Sequence, residues 1–243
     1  MGKFSGRRAL VTGAGAGLGR GVALKLAQMG AEVFALSKTE ANLSSLKEEC
    51  PSITTITIDL TNWEATREAV KKITPIHMLV NNAGINIILP FLDATPESFD
   101  LMFNLNVKAV MNVSQIVASD LITRQLKGSI VSISSQSGQR ALKGRTVYCS
   151  TKGALDMMTK VMALELGPKG IRVNNVSPTV VMTKMGRAGY SDPSRANSML
   201  ARIPQGKFAE VEDVVNAVVY LLSDESDMVN GHMLPVDGGF LAA

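Results

Sequence analysis

The chain has 243 residues, of which 46% are hydrophobic and 19% charged, a composition typical of a folded domain that excludes a disordered protein. The net charge is +4 and no run of five basic residues occurs, so nucleic-acid binding is not favoured. Cys50 and Cys149 lack metal-ligand spacing, and we interpret them as free thiols. No segment approaches about 18 apolar residues and no apolar signal region opens the chain, so we expect a cytoplasmic protein without a membrane span.

Short apolar runs alternate with longer segments of helical periodicity. The runs predicted as strands are residues 9–12, 32–36, 54–58, 78–81, 129–133, 172–176 and 233–236, and the clearest predicted helices are 19–29, 42–50, 63–73 and 147–166. This alternation predicts an α/β Rossmann fold, a doubly wound and mainly parallel seven-stranded sheet with helices on both faces. We expect a single domain over residues 1–243, with a nucleotide-binding half near 1–105 and a catalytic and substrate half near 106–243.

The segment 183–203 departs from this alternation because glycine, serine, aspartate and proline interrupt it. Two interpretations stay open for this irregular stretch. It is either a lid or binding loop beside a site, or a passive surface connection.

A glycine-rich turn follows the first predicted strand. Thr12 leads into Gly13-Ala-Gly15-Ala-Gly17-Leu-Gly19, and a helical pattern comes next. Glycines allow a tight turn and a close backbone approach to a pyrophosphate, and a helix N-terminus offers free N–H groups to that anion. The position of the turn between a first strand and a first helix therefore predicts a dinucleotide site, in preference to a glycine turn without a ligand.

Tyr148 and Lys152 lie four residues apart in a predicted helix, and so one turn apart on the same face. A phenol normally titrates near about 10, and a neighbouring ammonium lowers that pKa towards the range useful for acid–base catalysis. The pair therefore indicates proton transfer. A surface Tyr–Lys pair without function is the alternative, and the glycine turn and Ser135 disfavour it.

The motifs together resemble the short-chain dehydrogenase/reductase family. The shared features are T-G-x-x-x-G-x-G at residues 12–19, Asp59-Leu60, Asn81-Asn82-Ala83-Gly84, Asn106, Ser134-Ser135, Tyr148-x-x-x-Lys152 and Pro178-Thr179, in the family's order. The resemblance implies that a nicotinamide delivers hydride to a carbonyl while Tyr148 protonates its oxygen. It also implies that Ser135 hydrogen-bonds that oxygen, that Lys152 binds the nicotinamide ribose and tunes Tyr148, and that Asn106 organises a water-linked proton path to Lys152.

The end of the second predicted strand bears on the choice of cofactor. NAD-specific Rossmann enzymes place an acid there, whereas this chain reads Ser37-Lys38-Thr39, which favours the 2′-phosphate of NADP(H). Ala16 departs from the family by occupying a position that is often basic in NADP-dependent members. The resemblance implies cofactor contacts from Gly13, Gly15, Gly17, Leu18, Gly19, Ser37, Lys38, Thr39, Asp59, Leu60, Asn82, Ala83, Gly84, Tyr148, Lys152, Pro178, Val181 and Thr183.

Longer matches narrow the resemblance to the branch of the family that reduces L-xylulose to xylitol and α-dicarbonyls such as diacetyl. These matches cover residues 147–168, 178–183 and 202–211. The implied substrate pocket consists of Ser135, Gln136, Leu142, Arg145 and Tyr190, in which Arg145 and Tyr190 depart from the commoner residues.

Two other functions stay open. A reductase of 3-oxoacyl carrier-protein thioesters would use a basic patch, and Arg140, Lys143 and Arg145 form a short basic cluster. A non-catalytic dinucleotide-binding scaffold would be expected to lack Tyr148 or Lys152, and both are present. His77 and His232 have no partner motif, so we predict no metal site.

The predicted helix after Lys152 indicates self-association. Its apolar residues, Ala154, Leu155, Met157, Met158, Val161, Met162, Leu164 and Leu166, cover more of the helix than the stripe of about 100° that packing on a sheet requires. Asp156, Thr159 and Lys160 are predicted on the opposite, polar side. We therefore expect a homo-oligomer, a tetramer by family resemblance, with a loop of the same chain as the alternative cover.

Overall fold

The computed structural model describes residues 2–243, apart from the side chain of Met185, and contains one seven-stranded, all-parallel sheet. The strands are β1 (Arg8–Thr12), β2 (Glu32–Ser37), β3 (Thr54–Thr57), β4 (Met78–Asn81), β5 (Gly128–Ile133), β6 (Ile171–Pro178) and β7 (Met233–Val236). Their spatial order is β3-β2-β1-β4-β5-β6-β7. The predicted sheet is confirmed, and the observed strand bounds lie within two residues of the predicted ones.

Helices cover both faces of the sheet. They are α1 (Gly17–Gln28), α2 (Glu40–Glu49), α3 (Trp63–Lys71), α4 (Pro96–Phe103), α5 (Ala109–Thr123), α6 (Thr146–Leu166), α7 (Lys184–Gly189), α8 (Pro193–Leu200) and α9 (Val211–Leu222). A π-helical segment, Asn104–Lys108, joins α4 to α5. The helices predicted from periodicity correspond to α1, α2, α3 and α6.

Two apolar clusters fill the space between the sheet and its helices. Ala9 and Val11 of β1 point into the cluster beneath α1 and α9, whereas Leu10 between them points into the cluster beneath α5. Both faces of the inner strands are therefore buried. A strand covered on both faces requires apolar residues on both, which is why β4 and β5 appear in the sequence as short apolar runs.

The strand order reverses between β1 and β4, which are hydrogen-bonded neighbours. From β1 the chain adds strands outwards to β3, and from β4 it adds them in the other direction to β7. Such a reversal opens a crevice at the carboxyl ends of the strands, where ligands of α/β proteins bind. Thr12, Asn81, Ile133 and Pro178 end their strands at this edge, so the sequence motifs that follow them meet there.

The segment 183–203 is largely helical and not irregular as expected, whereas its role as a lid, a binding loop or a passive connection stays a prediction. It forms α7 and α8, and each short helix begins with a side-chain cap: Thr183 Oγ1 accepts from Gly186 N (3.1 Å) and Asp192 Oδ1 from Ser194 N (2.9 Å). The glycine, aspartate and proline residues that broke the pattern are thus helix boundaries. Met199 of α8 packs with Ile203 in a small apolar cluster above the strand ends.

The orientation of α6 also differs from the prediction. Asp156 and Thr159 are buried against the sheet, and only Lys160 of the three predicted polar-side residues is exposed. Conversely, Met157, Val161 and Leu164 are exposed, Leu164 by 78%. Buried polar groups need partners, and β5 and β6 supply them to α6, so its polar side faces inwards.

No helix within residues 2–243 combines the length and the apolar character that crossing a membrane would require.

Candidate active site

The glycine turn between β1 and α1 leaves its backbone uncovered. Gly13 has φ +64°, and a Cβ at this position would lie 2.8 Å from the Cα of Ala83. Asn82 fixes the turn, because its Nδ2 donates to the carbonyls of Thr12 (3.0 Å) and Gly13 (3.2 Å). Gly19 packs directly against Asn82. The residues predicted to contact the cofactor at the glycine turn and at Asn82–Ala83 therefore lie next to one another.

The start of α1 faces the segment after β6. Gly17, with φ +55°, opens the helix, and a Cβ there would lie 3.3 Å from Thr183 Cγ2. Val181 lies on the same segment and bridges to Ala209, and Pro178 ends β6. Leu18 packs into the core at the same helix end. The predicted contacts of Val181 and Thr183 thus lie beside the glycine turn.

The ends of β2 and β3 carry a charge pair that the sequence analysis did not foresee. Lys38 Nζ lies 2.7 Å from Asp59 Oδ2, and the Lys38 side chain is 77% exposed. The hydrogen bond from Lys38, followed by that from Thr61, lowers the pKa of Asp59 from 3.8 to about 2. The cation predicted for a 2′-phosphate and the acid predicted for adenine are therefore partners here. Ser37 lies next to Gly15, and a Cβ at Gly15 would be 3.0 Å from Ser37 Oγ.

Two further predicted residues lie around these strand ends. Thr39 occupies the N-cap of α2 but makes no side-chain cap bond. Leu60, after β3, is buried in the core cluster beneath α5.

Ser135, Tyr148 and Lys152 come together where β5 meets α6. Lys152 is buried, its Nζ lies 5.6 Å from the centre of the Tyr148 ring, and it donates to the Ile133 carbonyl at 2.7 Å. Ser135, two residues after Ile133, is buried, and its Oγ accepts from Ser137 N at 3.1 Å. A buried hydroxyl, a buried ammonium and a partly exposed phenol therefore meet at one corner of the structure.

The ionisation of this group differs from the sequence prediction. Burial raises the pKa of Tyr148, and the Ser135 hydroxyl and the charge of Arg145 lower it in part. Burial also lowers the pKa of Lys152 from 10.5 to about 8, against the opposing charge of Asp156. The pKa of Tyr148 is raised because the loss of hydration outweighs the charges, and the expected lowering by Lys152 itself stays a prediction. At neutral pH the phenol keeps its proton.

Asn106 lies in the π-helical segment between α4 and α5. Its side chain pairs with the backbone of Ile85: Oδ1 accepts from Ile85 N and Nδ2 donates to Ile85 O, both at 2.9 Å. Nδ2 also donates to Thr151 Oγ1 at 3.1 Å, next to Lys152 on α6. Gly84 faces it, since a Cβ there would lie 3.2 Å from Asn106 Oδ1. Asn106 thus connects the segment after β4 to α6.

The predicted substrate residues have three different surroundings. Gln136 is buried directly after Ser135, and its Oε1 has no hydrogen-bond partner within the described residues. Leu142 and Tyr190 belong to one apolar cluster, and the Tyr190 ring lies 5.2 Å from that of Phe208. Arg145 immediately precedes α6 and pairs with Leu89. Their grouping into one substrate pocket stays a prediction.

The basic cluster proposed for a carrier protein is divided. Arg140 turns towards the C-terminus: its NH1 donates to the carbonyls of Phe240 (2.7 Å) and Ala243. Its guanidinium also lies 5.0 Å from the centre of the Phe240 ring. Arg140 therefore does not form one basic cluster with Lys143 and Arg145.

Sequence reasoning missed three residues that shape the site. Thr12 Oγ1 accepts from the backbone N–H of Asn82 (3.0 Å) and Ala83 (3.1 Å), joining β1 to β4. Arg20 donates to Glu49 Oε2 (2.5 Å by NH2) and so holds α1 to α2. Asp156 accepts a hydrogen bond from Ser134 Oγ at 2.6 Å behind the catalytic corner. Thr12 could have been inferred from its position at the end of β1, but the partners of Arg20 and Asp156 are distant in sequence.

Neither histidine takes part in the site. His77 Nδ1 accepts from Arg8 N at 3.1 Å at the opposite edge of the sheet, and no cluster of metal-binding side chains occurs within the described chain.

Curated proteins resemble the chain over nearly its whole length. The model of a family described as enoyl-(acyl carrier protein) reductase matches residues 13–241. L-xylulose reductase of Mesocricetus auratus is 59% identical over 98% of this chain and 98% of its own. D-erythrulose reductase of Gallus gallus is 56% identical and carbonyl reductase [NADPH] 2 of Sus scrofa 51% identical, each over 99% of this chain and 98% of its own.

Solved structures share the fold. A short-chain type dehydrogenase/reductase from Mycobacterium ulcerans superimposes with a TM-score of 0.94 at 30% identity, over 99% of this chain and 91% of its own. A gluconate 5-dehydrogenase from Burkholderia cenocepacia, in complex with NADP and tartrate, gives 0.94 at 32% identity, over 99% of this chain and 98% of its own.

Proposed function

The chain belongs to the short-chain dehydrogenase/reductase family, and from that premise we propose that it uses NADPH to reduce L-xylulose to xylitol and α-dicarbonyls such as diacetyl. It is an oxidoreductase that acts on carbonyl and CH–OH groups. The observation that carries the proposal is the convergence of Ser135, Tyr148 and Lys152 beside the glycine turn, at the strand edge where α/β enzymes bind their ligands.

The ionisation of Tyr148 suits reduction. A reductase needs a proton donor for the carbonyl oxygen, and the Tyr148 phenol, whose pKa burial raises further above its ordinary value near about 10, is neutral at physiological pH. Tyr148 gives its proton to the substrate oxygen, and Ser135 donates a hydrogen bond to the same atom and stabilises the charge that develops there. Lys152, with a pKa of about 8, is largely charged at pH 7, and its charge stabilises the phenolate that remains when Tyr148 has given up its proton.

The residues at the crevice fit a dinucleotide. The exposed start of α1, at Ala16 and Gly17, would receive the pyrophosphate on its free N–H groups, and Gly13 allows the turn to pack closely against Ala83 behind it. Lys38 and Ser37 would hold a 2′-phosphate, and Asp59 and Leu60 would contact adenine. Asn82, Ala83, Gly84 and Thr183 would line the path to the nicotinamide. The bound nicotinamide supplies the hydride.

NADPH is favoured over NADH by charge. β2 itself ends without an acid, so a 2′-phosphate meets Lys38 and two hydroxyls, Ser37 and Thr39, although Asp59 of the next strand end pairs with Lys38 and reduces this preference. A relative named carbonyl reductase [NADPH] 2 and a fold neighbour with bound NADP support the same choice.

Self-association accounts for the exposed side of α6. Met157, Val161 and Leu164 form an apolar face on that helix, and a groove with Met111 and Ile122 of α5 lies beside it. Exposed apolar patches of this kind indicate an interface. We assign this face to a second copy of the chain in a homotetramer, the assembly that the family resemblance implies.

The experiment is a substrate panel with purified protein and NADPH, monitored by cofactor absorbance. L-xylulose and diacetyl should be reduced, and the product from L-xylulose should be xylitol. An acetoacetyl carrier-protein thioester serves as the competing substrate, and a much higher kcat/KM for it would refute the proposal. Lys143→Ala is the matched control, since it weakens the remaining basic cluster and should leave reduction of the sugar unchanged.

A further inference from the structure

A buried carboxylate lies directly behind the catalytic corner. Asp156 is one helical turn after Lys152 on α6 and only 7% exposed. Its Oδ1 accepts from Ser134 Oγ at 2.6 Å and from Asn175 Nδ2 at 2.9 Å, and Asn175 in turn accepts from Thr159 Oγ1 at 2.7 Å. The carboxylate therefore ties α6 to the end of β5 and to β6.

The second oxygen of this carboxylate faces the turn that follows Ser135. A Cβ on Gly138 would lie 2.5 Å from Asp156 Oδ2 and 3.1 Å from the Lys152 carbonyl, so the turn packs closely on α6 at these two residues. Oδ2 has no hydrogen-bond partner within the described residues. A buried carboxylate oxygen without a partner is costly, and an attraction to a nearby cation is the compensation that remains.

Lys152, one turn before Asp156 on α6, is such a cation. Residues four apart on a helix have Cβ atoms about 5–6 Å from one another, and Asp156 raises the pKa of Lys152 against the effect of burial. Burial raises the pKa of Asp156 itself, and its hydrogen bonds together with the charges of Lys152 and Lys160 on α6 lower it in part. From β5, β6 and the turn at Gln136–Gly138, the neighbours that contact it are the neutral Ser134, Asn175 and Gly138.

We propose that Asp156 is a positioning residue for the reduction: its carboxylate fixes Ser134 next to Ser135 and holds Lys152 in its charged form. Asp156 touches neither the substrate nor the cofactor, and acts through the two residues on either side of it. The inference rests on the proposed function only for its catalytic consequence. Its electrostatic part is a property of the folded chain alone.

The test is the ionisation of Lys152 in the full-length protein. The Nζ signal is followed by nitrogen NMR on protein labelled at lysine, and Lys152→Met identifies it. Asp156→Asn keeps the size of the side chain and an oxygen that accepts from Ser134 and Asn175, but removes the charge. Because Asp156 raises the pKa of Lys152, removing its charge should lower the midpoint from about 8 by about one unit.

Turnover should follow the ionisation. With the midpoint lowered by about one unit, the charged fraction of Lys152 at pH 8, and with it kcat, falls by about fivefold. The alkaline limb of the kcat profile moves to lower pH, whereas KM for the carbonyl substrate changes little. A merely structural role for Asp156 would lower thermal stability without moving this limb.

Two further variants make the test decisive. Asp156→Ser also removes the charge and leaves a hydroxyl at this position, so its Lys152 midpoint should fall as in Asp156→Asn, and it serves alone if Asp156→Asn fails to fold. Glu68→Gln removes an exposed negative charge on α3 and should change nothing.

An unchanged Lys152 midpoint in Asp156→Asn, or an equal shift in Glu68→Gln, would overturn the inference. A wild-type protein that reduces none of the carbonyl substrates refutes the proposed function instead. The NMR midpoints are measured without turnover and separate the two outcomes.

Discussion

Replacing Asp59 by Asn should increase the preference for NADPH over NADH. In the ligand-free protein Asp59 holds the Lys38 ammonium at 2.7 Å, so the cation intended for the 2′-phosphate is already paired. The same carboxylate would repel that phosphate. NADH lacks the phosphate, so any loss of an adenine contact through Asp59 affects both cofactors and cancels in the ratio of their dissociation constants.

The size of the effect follows from the exposure of the pair. The lowering of the Asp59 pKa from 3.8 to about 2 would correspond to more than 2 kcal/mol in a buried pair, at about 1.4 kcal/mol per unit. Lys38 is 77% exposed and Asp59 38%, so solvent screening reduces the interaction to about 0.5–1 kcal/mol. The ratio of dissociation constants should therefore shift towards NADPH by about two- to fivefold.

The assay is fluorescence titration of the wild type and Asp59→Asn with NADPH and NADH at low and high salt. Lys38→Met is the opposite control, because it removes the cation and should shift the ratio towards NADH. Added salt should reduce the gain in Asp59→Asn. If the ratio of the two dissociation constants in Asp59→Asn is unchanged, or shifts towards NADH, the Lys38–Asp59 pair does not compete with the 2′-phosphate.

Two other substitutions test the cofactor choice and the assembly. The double variant Ser37→Asp, Lys38→Ile should shift the ratio of kcat/KM from NADPH towards NADH, because it places a carboxylate where the 2′-phosphate would bind. An unchanged ratio would refute the assignment of these two residues to the 2′-phosphate. Leu164→Lys introduces a charge on the exposed face of α6 and should yield smaller species in sedimentation, with Glu68→Lys as a control on α3. A wild-type protein that sediments as a 25.9 kDa monomer at micromolar concentration would refute the oligomer.

The parallel sheet could be predicted because its determinants are local. β4 and β5 are buried on both faces, and their apolar runs are visible in the sequence whatever they pack against. The order of the motifs then carries Ser135 and the glycine turn to the same edge, since parallel strands present their carboxyl ends together. Helix caps are equally local, and Thr183 and Asp192 could have indicated α7 and α8 before the structure was seen.

The inward side of α6 could not be predicted from periodicity. The sequence analysis placed Asp156 and Thr159 on the polar side of α6, opposite its apolar residues. These two residues face inwards because Ser134, just after β5, and Asn175, on β6, form hydrogen bonds with them. Such partners are brought together only by the folded sheet, so the sequence pattern does not reveal them.

The ionisation of Tyr148 could not be predicted from the sequence either. The spacing of Tyr148 and Lys152 correctly placed an ammonium near a phenol, but the sign of the pKa change depends on burial. Around Tyr148 the loss of hydration prevails. Tyr148 is therefore protonated at neutral pH, as a donor to the carbonyl oxygen must be, but its raised pKa makes it a weaker acid than the sequence analysis expected.

Comparison of Tyr148→Phe with wild type, using NADPH and L-xylulose, tests the central claim most directly. A positioned proton donor contributes about 10²–10⁴-fold, so kcat should fall by at least about 100-fold. The dissociation constant for NADPH should stay within about threefold of wild type, because the phenol hydroxyl supplies at most one of the many hydrogen bonds to the cofactor, each worth about 0.5–1.5 kcal/mol. A Tyr148→Phe variant that keeps more than about a tenth of the wild-type kcat would contradict the account.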